Sequence, residues 1–202
     1  MWSYFLRGGI MMWPLLVCSI LAVGIIINRG WVFYKARVNE ERLMKVIRRS
    51  LKEGKVKEAV SLCQSTPGPV AKVLERGLLH YHQGKKGIEA AFEMASLEEF
   101  PRLETYLPVL ATIAGVSTLF GFTGTVLGMI RAFDSIVASG VSSPVIVARG
   151  VGEALITTAF GLLVAIPTLI SYHYFMNRYE KFILETEKCC KETIDLISGE
   201  TG

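Results

Sequence analysis

Residues 10–27, 106–130 and 154–177 are three uncharged runs of 18, 25 and 24 residues. At ~1.5 Å of rise per residue, about 20 helical residues cross the hydrocarbon core of a bilayer. Inside lipid the backbone has no water to bond, so a run of this kind spans as a helix. No other feature constrains the fold as strongly. Composition agrees with it. Hydrophobic residues make up 51% of the 202 positions, too many for an ordinary soluble domain, yet 20% of residues are charged. That mixture fits a membrane protein with a sizeable aqueous part. The formal net charge is only +4, with acids interleaved among the bases, which argues against a nucleic-acid partner.

The first run carries Trp2, Tyr4 and Trp13 near one end and Trp31 and Tyr34 near the other, as interfacial aromatics do. It is long for a signal peptide and no small-x-small cleavage site follows it, so it is expected to stay as a membrane helix. Residues 29–105 are polar and patterned. Val32, Ala36, Leu43, Val46, Ile47 and Leu51 recur at helical spacing, and Gly54 breaks the run. Further helices are expected over 56–64, 70–83 and 88–105. Ser65-Thr66-Pro67-Gly68-Pro69 forms a turn between them, and Gly84-Lys85-Lys86-Gly87 a loop. His80 and His82 lie two apart and so do not share a helix face. Cys18, Cys63, Cys189 and Cys190 lack metal-ligand spacing and are expected to be reduced.

The expected fold is therefore all-α, with three transmembrane helices and a helical domain between spans 1 and 2. In order, the chain has an outward-facing tail (1–9), span 1 (10–28), a cytoplasmic helical domain (29–105) and span 2 (106–134). An outward-facing link (135–149), span 3 (150–177) and a cytoplasmic C-terminal helix and tail (178–202) follow. A turn is expected at Ser139-Gly140 and Ser142-Ser143-Pro144. Orientation follows from Lys and Arg: 15 lie in 29–105 and four in the C-terminal tail, against one before span 1 and two in the link region 131–153.

The spans carry patterned small residues. In span 2, Ala114, Thr118, Gly121, Thr125, Gly128 and Ala132 fall on one face, with Gly124 and Thr123 beside it. In span 3, Gly150, Ala154, Thr158, Gly161, Ala165 and Thr168 do the same, with Glu153 and Thr157 on an adjacent row. Two readings fit. Small-xxx-small faces let membrane helices approach closely. Alternatively, Thr125 and Thr158 line a hydrated passage in which hydroxyls replace the hydration of a proton carrier or a small cation. A helix can do both with neighbouring rows.

Ionisable groups near a membrane are costly and need an account. Arg131 and Asp134, three apart, are placed to pair; Glu153 is placed to gather cations at a mouth or to pair with Arg149. A proton route normally needs a carboxylate within the membrane, and none of the three runs contains one. A conducting chain of this kind would take its titrating group from another subunit, or conduct through water and hydroxyls alone. No nucleophile–base pair, metal spacing or phosphate loop points to an enzyme, and His173 has no evident partner.

The segments Gly121-Phe122-Thr123-Gly124-Thr125-Val126-Leu127-Gly128 and Gly152-Glu153-Ala154-Leu155-Ile156-Thr157-Thr158-Ala159-Phe160-Gly161-Leu162 carry a resemblance. They are similar to the G-[LF]-x-G-T-V-x-G and G-x-x-E-A-L-x-x-T-A-x-G-L patterns of the ExbB/TolQ/MotA proton-channel family, most closely its ExbB/TolQ branch. Ala165-Ile166-Pro167 continues the match, which covers about residues 107–175; the one-span, domain, two-span layout extends it over the chain. The resemblance implies a homopentamer in the bacterial inner membrane, with spans 2 and 3 around a central lumen. Inside would sit the single-span helices of an ExbD/TolR-like partner bearing the proton-binding Asp. The pentamer would act as the channel-forming stator of a motor that energises a TonB- or TolA-like protein in transport.

On that resemblance Thr125 and Thr158 face the lumen, and Glu153 lies near its outer end. Gly121, Gly124, Gly128, Ala154, Gly161 and Ala165 are the small residues packed around it. Thr123 stands where the family commonly has an apolar residue, and Thr157 where many members have Ala. These extra hydroxyls beside the route leave both H+ and Na+ open as the transported ion. No cofactor or metal is implied. The rival to conduction is a membrane scaffold in which both stripes only pack.

Overall fold

A computed structural model describes residues 5, 7–36, 40–139 and 144–198. It contains helices α1 (Met12–Ala36), α2 (Glu40–Lys52), α3 (Val56–Ser65), α4 (Pro69–Leu79), α5 (Gly84–Glu104), α6 (Leu107–Ser139) and α7 (Pro144–Ser198), with a 3₁₀ turn at Tyr81–Gln83. No strand occurs among the described residues. The fold is all-α, and three of its helices are long and apolar enough to cross a membrane. The expected interfacial Trp2 and Tyr4 lie outside the described residues, as does most of the expected turn at 139–144.

The chain divides into two compact units, Met1–Asn28 with Tyr106–Tyr174, and Arg29–Thr105 with Phe175–Gly202. In the first, α1 buries a narrow stripe (Met12, Leu15, Ala22) and leaves Val17, Ile20, Leu21 and Val23 more than half exposed. Val126 on α6 and Leu163 on α7 are equally open. Apolar surface on this scale is unfavourable in water and natural against lipid tails. Two features set the start of α6. Tyr106 takes a positive φ of 68°, which ends α5, and Pro108 falls in the first turn, where no amide donor is needed. In α7, Pro167 leaves its carbonyl partner one turn back without a donor, and the hydroxyls of Thr168 and Ser171 bond the Val164 and Pro167 carbonyls around it.

In the second unit α4 is the central helix. Val70, Ala71, Val73, Leu74, Gly77 and Leu78 are all buried, and α4 packs on both α3 and α5. Gly77 lets α5 come close: any side chain there would strike the Phe92 ring. Phe33 stacks on Phe175 and Phe182, with ring centroids 5.5 and 6.1 Å apart. The Arg29 guanidinium is buried and donates to the Arg102 and Leu103 carbonyls, both at 3.3 Å. It thereby caps the end of α5, where carbonyls lack helical donors. Arg48 bonds Glu192 at 2.6 Å.

Two local boundaries differ from the sequence reading. The helix expected over 70–83 ends at Leu79 and tightens into the 3₁₀ turn. The expected loop 84–87 is instead the first turn of α5, because only Gly84 takes a positive φ (72°) and the following residues are already helical.

Candidate functional site

The two small-residue stripes face each other. A Cβ added at Gly128 would lie 3.0 Å from the Ala154 Cβ, and one at Gly121 would lie 3.3 Å from the Thr158 Cα. One at Gly161 would lie 2.8 Å from the Ser117 carbonyl oxygen and 2.9 Å from the Gly121 Cα. One at Gly124 would fall on the Thr157 side chain, and one at Gly150 on Ala132. Rising numbers on α6 meet falling numbers on α7, so the helices run antiparallel with their backbones in contact. Gly121, Gly124, Gly128, Ala154, Gly161 and Ala165 are buried in one chain. Within one chain these residues pack α6 against α7, and a lumen wall would have to come from the rows beside them.

The four threonines separate by environment. Thr158, half-buried, donates across the seam to the Gly121 carbonyl at 3.1 Å. Thr125, also half-buried, donates to the Phe122 carbonyl at 2.6 Å. Thr123 is exposed and bonds the Leu119 carbonyl at 2.8 Å. Thr157 is fully buried, with its hydroxyl 2.7 Å from the Gly8 carbonyl and 2.9 Å from that of Glu153. Within one chain it is a tether between α7 and the segment before α1, away from any open row. Each hydroxyl proton is committed to a carbonyl, so what remains at each oxygen is acceptor capacity. Acceptors suit a cation or a proton-bearing water and do not suit an anion.

Glu153 is paired in a way the sequence did not show. Its carboxylate bonds the Arg131 guanidinium across α6 and α7, 22 positions away in sequence. The expected Arg131–Asp134 and Arg149–Glu153 pairs are not what forms. Antiparallel packing brings the end of α6 beside the start of α7, which offers a nearer partner than either helix's own next turn. Glu153 thus has its charge balanced by a cation. The same carboxylate lies against Gly9, where φ is +71° and a side chain would collide with it.

Sequence reasoning missed three participants. Gly8 and Gly9 join the site through backbone, which leaves no chemical signature. Ser117 is buried, and its hydroxyl has no hydrogen-bond partner among the described residues. Its spacing of four from Gly121 put it on the seam row, a signal that was available. No group of three or more His, Cys, Asp or Glu side chains suited to a metal occurs among the described residues.

The profile of the MotA/TolQ/ExbB proton channel family matches residues 65–188, which include every residue of this site except Gly8 and Gly9. Among known proteins, the chain is 32% identical over 176 residues to a putative biopolymer transport protein, ExbB-like 1, of Synechocystis, covering 86% of this chain and 69% of that one. It is 35% identical over 169 residues to the biopolymer transport protein exbB1 of Vibrio cholerae, covering 80% and 72%. It is 39% identical over 98 residues to the Tol-Pal system protein TolQ of Pseudomonas aeruginosa, covering 48% and 42%.

Proposed function

Because the chain belongs to the MotA/TolQ/ExbB proton channel family, in its ExbB/TolQ branch, we propose that it is the channel-forming stator subunit of an ion-driven motor in the bacterial inner membrane. In this reading five copies enclose a lumen that holds a single-span ExbD/TolR-like partner. Protons cross with the help of that partner's carboxylate, and the motion energises a TonB- or TolA-like protein. The domain and C-terminal tail face the cytoplasm, and the N-terminus faces outward. The chain contributes no catalytic chemistry and no bound cofactor.

The observation that carries the reading is the α6–α7 seam. It holds Thr158 and Thr125 half-buried beside a glycine-lined contact, with acceptor oxygens and no carboxylate other than Glu153, which Arg131 engages at the end of the seam. Thr125 and Thr158 line the route in this proposal; Thr123 sits on the outer row, and Thr157 supports α7 from behind. The Arg131–Glu153 pair marks the outer end.

The test is proton flux driven by membrane potential, measured on the complex with its partner. Thr158→Val is expected to cut flux at least about tenfold, while Thr158→Ser, which keeps the hydroxyl, retains most of it. Equal flux in wild type and Thr158→Val would favour a scaffold in which the stripes only pack. Flux that follows a sodium gradient and ignores pH would favour the sodium-driven alternative.

A further inference from the structure

Three arginines far apart in sequence meet at one end of the membrane unit. Arg7 comes from the segment before α1, Arg131 from α6, and Arg149 from the start of α7. They line a cavity of about 730 Å³ together with Gly9, Ile156 and Glu153. Glu153 is the one acid among the described residues of this lining and is engaged by Arg131. Three positive charges facing one negative leave an excess of two. Arg7 and Arg149 are exposed, and neither has an ion pair among the described residues.

Gathering like charges is unfavourable unless an anion joins them. The arginine geometry suits phosphate, because each planar guanidinium offers paired donors to its oxygens. The position selects the source. The cavity lies where the uncharged runs 106–130 and 154–177 end, which for membrane spans is the level of the lipid headgroups, and Ile156 and Val145 provide apolar surface beside the charges. An acyl chain can lie along such a surface while its phosphate reaches the arginines.

We propose that the cavity bounded by Arg7, Arg131 and Arg149 is a phosphate site that holds the headgroup of an anionic membrane lipid. The bound lipid neutralises the arginine excess and fixes the segment before α1 against α6 and α7. This role is separate from ion conduction and stands whether or not the chain conducts.

Native mass spectrometry of the purified full-length protein, with phosphatidylglycerol or phosphatidylcholine added, tests it. The wild type is expected to retain phosphatidylglycerol preferentially. The Arg7→Gln/Arg149→Gln pair, judged on protein with wild-type helical circular dichroism, is expected to lose roughly tenfold or more of that preference. Lys57→Gln/Lys86→Gln, which removes two charges elsewhere, is expected to keep it. Unchanged retention in the arginine pair, or equal loss in the lysine pair, overturns the proposal. Inorganic phosphate at millimolar concentration is expected not to displace the lipid; displacement, with no preference between the two lipids, would assign the cavity to a free anion. An acidic protein segment cross-linked at Arg149 with no lipid bound would assign it to a protein partner.

Discussion

At the scale of single residues, neighbouring threonines do different work because of where their hydroxyls point. Thr157 and Thr158 are adjacent in sequence; spacing pointed to Thr158 as a pathway residue, and the family resemblance placed the Thr157 hydroxyl beside the route. Thr157 is fully buried and holds the Gly8 carbonyl at 2.7 Å. Thr157→Val keeps the shape but leaves that carbonyl without its donor, at a cost of about 1–3 kcal/mol. The expected outcome is a lower melting temperature in detergent with ion flux per folded complex unchanged. Lost flux at unchanged stability would return Thr157 to the route. The thiols permit a second residue-level test. Burial, aided by Glu75, pushes Cys63 up to about 12 from an ordinary 9.0. Burial, aided by Cys189 and Glu187, does the same to Cys190. A thiol raised in the fold stabilises fully below the unfolded value. That contribution is lost as pH climbs from about 9 to about 12. At pH 9 these two thiols should alkylate far more slowly in the fold than in urea. Prompt alkylation of Cys63 in the folded protein would contradict its burial.

At the scale of elements, the α6–α7 seam is where sequence was most informative. Steps of three and four between Gly121, Gly128, Ala154 and Gly161 predict a helix face, and small residues on that face predict close approach. What spacing did not supply was the partner of each face. Two small stripes can meet each other, or both can turn toward a lumen, and only the contacts decide. Here they meet, with the Gly161 position 2.8 Å from the Ser117 carbonyl oxygen. Gly161→Leu should force the helices apart and cost about 1–3 kcal/mol by overpacking. The readout is loss of assembled complex on a native gel, with Leu162→Ala, an exposed neighbour, leaving assembly intact. A fully assembled Gly161→Leu protein would mean that the seam is looser than its contacts indicate. The local misreadings have a common cause. Gly84-Lys85-Lys86-Gly87 looks like a loop because glycine and charge are common in loops. One glycine at positive φ turns the chain, and the helix starts at once. The Arg131–Glu153 pair was likewise hidden, because pairing rules read along one helix and the pair crosses two.

At the scale of the whole molecule, the decisive fact is an absence that sequence showed directly. Residues 8–28, 106–130 and 154–177 contain no Asp or Glu. The structure adds that Thr125 and Thr158 hold their protons on carbonyls and present acceptors only. Hydroxyl oxygens can pass a proton-bearing water but cannot store a proton between the two faces of the membrane, as a carboxylate can. On the proposed function, the chain by itself is therefore an incomplete conductor. Purified protein in liposomes, under a potassium-diffusion potential, should carry no proton current above that of protein-free vesicles. Adding a one-span partner with an intramembrane Asp should switch the current on, and changing that Asp to Asn should switch it off again. Native mass spectrometry of the conducting complex should then show five copies of this chain around the partner. A proton current from the chain alone would mean that water and hydroxyls suffice, and the missing carboxylate would lose its significance. Silence in both arms, from a complex of verified stoichiometry, would instead leave the α6–α7 seam as the packing contact of a scaffold.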